Sequence, residues 1–87
     1  MAVYLVERDL TGLRIEQLIA TQLAAIRTSQ QFSHAGTPVR YIRSTFVPAD
    51  GRCVCLFEAP DPATVRELND AAGLPYSRVV EALDLTP

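Results

Sequence analysis

The stretch that decides the fold runs from Val39 to Ala59. It reads Val39-Arg40-Tyr41-Ile42-Arg43-Ser44-Thr45-Phe46-Val47, then Pro48-Ala49-Asp50-Gly51, then Arg52-Cys53-Val54-Cys55-Leu56-Phe57-Glu58-Ala59. The first run alternates and is rich in β-branched and aromatic residues, as strands are. Pro48, Asp50 and Gly51 mark a turn, so the two runs pair as a hairpin. A turn at 48–51 sets Ile42 against Phe57, Ser44 against Cys55 and Phe46 against Cys53 on one face. The other face pairs Tyr41 with Glu58, Arg43 with Leu56 and Thr45 with Val54. The second run is almost unbroken in apolar residues, which suits a central strand.

Upstream of the hairpin, the pattern from Leu13 to about Phe32 is helical. Ile15, Leu18, Ile19, Leu23 and Ile26 recur at spacings of three and four, leaving Arg14, Glu16, Gln17 and Arg27 to water. Thr11 is the expected N-cap. Residues 2–8 read as a strand before it, and residues 30–38, with Gly36 and Pro38, as a connector after it. Downstream, Asp61 as N-cap and Pro62 at the first helical position open a second helix. Val65, Leu68 and Ala72 give it an apolar stripe, Gly73 ends it, and Pro75 prevents its resumption. Residues 78–85 read as the last strand. The order is β-α-β-β-α-β, the ferredoxin-like α+β pattern: one domain over residues 1–87, a four-stranded antiparallel sheet and two helices on one face.

Composition narrows the function. The 87 residues are 48% hydrophobic and 21% charged, which excludes disorder. A net charge of −2 leaves no electrostatic footprint for nucleic acid. No apolar run reaches the roughly 20 residues that span a bilayer, and the N-terminus shows no signal-peptide pattern, so the expected location is the cytoplasm. Cys53 and Cys55 point to one strand face. A bridge between them would be strained, and their spacing is not that of a zinc knuckle. They read as small buried hydrophobes, with a soft-metal or redox pair as the sharper alternative.

The helices cover one face of the sheet, and the other is bare. Alternation assigns it Val3, Leu5, Leu56, Val79 and Leu83 beside Glu7, Tyr41, Arg43, Glu58 and Glu81. That set is too apolar for water and too charged for a core. It fits a homodimer joined through the sheet and enclosing a polar pocket, which also suits so short a chain. Glu7 and Glu58 are expected on neighbouring parallel strands, near their C-terminal ends. Two carboxylates that close repel unless a metal or Arg43 sits between them. Tyr41 would add a hydroxyl. Such a group supports metal binding, acid–base work or recognition of a polar ligand. The plain alternative is an Arg43–Glu58–Glu7 network that only fixes dimer register. His34, the one imidazole, is either a solvated loop residue or a ligand for nickel, copper or zinc. There is no glycine-rich phosphate loop, and no serine sits in a nucleophile elbow.

Four phrases in order carry a resemblance: Tyr4-Leu5-Val6-Glu7-Arg8; Ser44-Thr45-Phe46-Val47 with Asp50-Gly51; Cys55-Leu56-Phe57-Glu58-Ala59-Pro60; and Ala71-Ala72-Gly73-Leu74-Pro75. Together they resemble a family of small bacterial domains of unknown function, typified by a nickel-binding, nickel-responsive protein of ferredoxin-like fold. The resemblance implies a homodimer with facing sheets and binding of a divalent metal such as nickel. The dimer plan is also similar to that of the dimeric α/β barrels, which include small monooxygenases and lactone isomerases, although no catalytic motif matches them. The leading expectation is a homodimeric metal- or ligand-binding protein. Glu7, Tyr41, Arg43 and Glu58 would line its pocket, and His34, Glu7 and Glu58 would be the candidate metal ligands. The alternatives are a cofactor-independent enzyme that transfers protons through the Glu7/Glu58 pair, and a structural module without ligand.

Overall fold

Strand β1 (Ala2–Asp9), helix α1 (Ile15–His34), strands β2 (Arg40–Val47) and β3 (Arg52–Ala59), helix α2 (Pro62–Ala71) and strand β4 (Arg78–Ala82) follow in that order. They are seen in a computed structural model describing residues 1–87. The sheet order is β2-β3-β1-β4, and every neighbouring pair is antiparallel. Tyr4 and Val6 of β1, Cys53, Cys55 and Phe57 of β3, and Val79 of β4 are buried on the helix-covered side. They pack with Ala25 of α1 and with Val65 and Leu68 of α2. Alternation along a pleated strand puts their neighbours on the open side. No helix is long and apolar enough to cross a membrane.

Local chemistry explains where the elements start and stop. The Asp61 carboxylate accepts the Thr64 backbone N–H and hydroxyl, both at 2.8 Å, and Pro62 occupies the first turn of α2. These bonds, the backbone one foremost, hold the Asp61 carboxyl below its ordinary range. Thr11 does not cap α1, which begins only at Ile15; instead the Arg14 backbone N–H donates to Gln17 Oε1 at 2.8 Å. The Thr11 backbone N–H and hydroxyl both serve the Asp9 carboxylate. Thr11 also lies against the hairpin turn. A Cβ on Gly51, whose φ is +73°, would stand 2.2 Å from Thr11 Oγ1. Only glycine fits there, and the Leu10 N–H reaches the Gly51 carbonyl at 2.8 Å.

Three further expectations about the elements need correcting. First, α1 is rotated from the predicted face. Ala25, Thr28 and Ser29 are buried, Leu18 and Phe32 are half-buried, and Ile15, Ile19 and Leu23 are exposed. Small residues let the helix approach the sheet closely, and Ser29 hides its hydroxyl by donating to the Ala25 carbonyl at 2.7 Å. Second, the hairpin register holds from Arg43↔Leu56 to Val47↔Arg52, then breaks between Tyr41 and Arg43. Ile42 is an extra residue, so Tyr41 faces Phe57 and Arg40 faces Glu58. Third, Val79 pairs with Val6 and Glu81 with Tyr4, which puts both on the helix side. The open side of β4 carries Arg78, Val80 and Ala82, and β4 ends at Ala82 rather than at residue 85.

Candidate functional site

The open face of the sheet has an aliphatic centre and charged margins. Leu5 of β1 lies between Leu56 of β3 and Val80 of β4 in one cross-strand row. Val3 and Val54 extend the patch along β1 and β3, and all five side chains are half-buried. At one end, the Arg78 Nε donates to Glu7 Oε2 at 2.8 Å. At the other, the Arg40 Nε lies 3.4 Å from Glu58 Oε1. A third pair joins Arg43 to Asp84. The segment after β4 thus leans back over the face, with Leu83 and Leu85 turned to solvent at 83% and 87% exposure.

The predicted site residues divide between these places. Glu7, Arg43 and Glu58 are on the open face as expected. Because β1 and β3 are antiparallel rather than parallel, Glu58 sits opposite Val3, not beside Glu7. Glu7 lies four residue steps along β1 from Val3, about 13 Å at the usual strand rise. The two carboxylates therefore do not converge within one chain, and the proton-transfer pair loses its geometry. No single-chain Arg43–Glu58–Glu7 network forms, since each acid has a different arginine. The bulge at Ile42 carries Tyr41 to the helix side. There its ring meets Phe57 edge-on, with centroids 5.6 Å apart. Its hydroxyl accepts from Gln22 Nε2 at 3.1 Å and also bonds Ser44. His34, in the last turn of α1, borders an open cleft of about 720 Å³ with Ser33, Arg40 and Tyr41. No three His, Cys, Asp or Glu side chains gather into a metal cluster, so His34, Glu7 and Glu58 do not meet within one protomer.

Sequence reasoning missed Arg40, Arg78 and Asp84. A signal for Arg78 existed: an antiparallel β1–β4 pair brings an arginine at the start of β4 opposite Glu7. Arg40 was hidden by the bulge, and Asp84 by lying outside any regular element.

Residues 4–82 match the profile of the SCO4226-like nickel-responsive protein family. The chain belongs to that family. The crystal structure of SCO4226 from Streptomyces coelicolor A3(2) superposes with a TM-score of 0.81 at 20% identity. The match covers 98% of this chain and 100% of that one, so the SCO4226-like fold extends over the whole domain. Among curated proteins no sequence match is found.

Proposed function

We propose that this SCO4226-like chain acts as a homodimer whose open sheet faces meet and hold a divalent cation, nickel foremost, or a small polar ligand between them. The observation that carries this reading is the open face itself. An aliphatic centre of Val3, Leu5, Leu56 and Val80 inside a margin of ion pairs is the layout of a protein interface, apolar in the middle and polar at the rim. Leu83 and Leu85 add exposed apolar surface on the segment that leans over it. A two-fold axis crossing the strands would lay the Glu7 end of one sheet over the Glu58 end of its partner. Carboxylates separated within one chain would then approach between two chains. Glu7, Glu58 and Arg43 are the ligand-contacting residues of this reading, with Arg40 and Arg78 as their neighbours. His34 is an additional donor. Tyr41 plays no part, because its hydroxyl is occupied beneath α1.

Sedimentation tests the assembly, and native mass spectrometry after a screen of divalent metals tests the ligand. The expected mass is twice the 9.5 kDa of one chain. Nickel should be retained by the wild type and weakened at least tenfold in Glu7→Gln and Glu58→Gln. A monomer at micromolar concentration that retains no metal overturns the reading.

A further inference from the structure

Cys53 and Cys55 lie on the helix side of β3, away from the open face. Their Sγ atoms are 4.0 Å apart and both thiols are free. A cavity of about 200 Å³ opens onto both sulfurs between α1 and the hairpin, walled by Leu10, Ile15, Ile19 and Phe46. Ile15 and Ile19 are 64% and 49% exposed, so the cavity has an outlet to solvent.

The charges around the pair are unusual. Arg8 is the cross-strand partner of Cys53 and is only 2% exposed. Its guanidinium donates to the Pro75 carbonyl at 3.0 Å and to Asn69 Oδ1 at 2.9 Å. Its Nε has no partner, and no carboxylate pairs with it. A buried cation without an anion is costly to fold around. On the other flank, hydrogen bonds run in one direction toward sulfur. Gln22 donates to Tyr41, the Tyr41 hydroxyl bonds Ser44, and Ser44 Oγ donates to Cys55 Sγ at 3.0 Å. An uncompensated cation on the residue across the strand from Cys53, and a hydroxyl donor on Cys55, each offset part of the cost of placing negative charge on the buried sulfurs.

We propose that Cys53 and Cys55 form a two-sulfur site for copper(I), with Arg8 balancing the charge of the loaded site. At a metal–thiolate length like zinc's, about 2.3 Å, two bonds across the observed 4.0 Å would enclose an angle of about 120°, so both sulfurs can reach one metal ion from where they stand. The donor set selects the metal. Zinc requires four ligands, and calcium or magnesium requires oxygens, whereas soft thiolates suit monovalent copper. On loading, two S–H bonds break and two S–Cu bonds form. Two protons leave to solvent, and copper enters and stays monovalent. The site passes from neutral to a charge of −1 beside the Arg8 cation.

The test titrates the reduced full-length chain, without oxygen, with copper(I) held by a weak chelator. One copper per chain is expected by native mass spectrometry, with X-ray absorption showing two sulfur neighbours. Cys53→Ala and Cys55→Ala should each lose it, and Arg8→Met should weaken retention about tenfold. X-ray absorption on the wild type is decisive even if a variant misfolds. Failure of the wild type to take copper from the chelator, nitrogen or oxygen neighbours in place of sulfur, or equal retention by folded cysteine variants would each overturn the proposal.

Discussion

Arg43 of β2 and Asp84, two residues beyond β4, form an ion pair although their strands are the opposite edges of the sheet. The arginine leans inward from one edge and the C-terminal segment from the other. The pair is partly exposed, with side chains at 49% and 20%, so its direct contribution to stability is small. Its effect is on position, since it holds residues 83–87 over the open face.

Asp84→Asn should therefore free the segment without unfolding the domain. Unfolding in urea should change by less than about 1 kcal/mol, while amide exchange in residues 83–86 quickens. A change of several kcal/mol with unaltered exchange would contradict a positioning role.

Asn69 should be far more sensitive. It is fully buried, accepts from the Arg8 guanidinium and donates to the Val65 carbonyl at 2.8 Å. Asn69→Ala leaves a buried cation short of a partner and empties a fully buried site, while the Val65 carbonyl keeps its helical N–H. The expected cost is about 2–4 kcal/mol in denaturant unfolding, well above that of removing a surface polar group.

The bulge makes a different kind of prediction. Deleting Ile42 removes the extra residue and leaves Tyr41↔Phe57 and Arg43↔Leu56 consecutive, with no side chain changing face. The loss is the packing of one half-buried isoleucine, on the order of 1–2 kcal/mol. Deleting Thr45, inside the regular ladder, inverts the faces of its neighbours and should prevent folding. Equal tolerance of the two deletions, compared by circular dichroism and melting, would show that the register is not held as described.

Acid should destabilise the fold partly through the start of α2. The folded-state pKa of Asp61 is depressed from the ordinary 3.8 by the Thr64 backbone and hydroxyl donors. A depressed carboxylate contributes stability above its unfolded pKa, and that contribution is lost as pH falls from near 3.8 through the lower folded value. Asp61→Asn should flatten this limb of the stability–pH curve and lower the Tm at neutral pH by a few degrees at most, because the amide oxygen still caps α2 and only the charge facing the helix N-terminus is lost. An unchanged acid limb in the variant would assign the acid sensitivity elsewhere.

The legible parts of the fold were those with a local chemical marker. Pro48-Ala49-Asp50-Gly51 specified the hairpin, and Asp61-Pro62 and Gly73 bounded α2. The lost parts turned on parity or direction. An apolar–charged alternation looks the same with or without one extra residue, so the bulge at Ile42 was invisible and Tyr41 was assigned to the wrong face. In β4, Val79 and Val80 are adjacent and equally apolar, and alternation alone cannot say which faces the helices. Along α1, bulky Ile15, Ile19 and Leu23 outweigh Ala25, Thr28 and Ser29 in any hydrophobicity pattern, yet close packing selects the small residues. The candidate site suffered most from strand direction. Treating β1 and β3 as parallel drew Glu7 and Glu58 together, whereas the antiparallel ladder holds them at opposite ends.

Those ends have a consequence of their own. Glu7 and Glu58 are each already held by an arginine of the same chain, Arg78 and Arg40. Arg78 engages both oxygens of Glu7, so a cation taken up there would exchange one positive group for another. The displaced arginine would turn outward and carry its charge with it. Occupancy of a site between two subunits would thus be written on the exterior as new positive charge, legible to an acidic partner that never touches the metal.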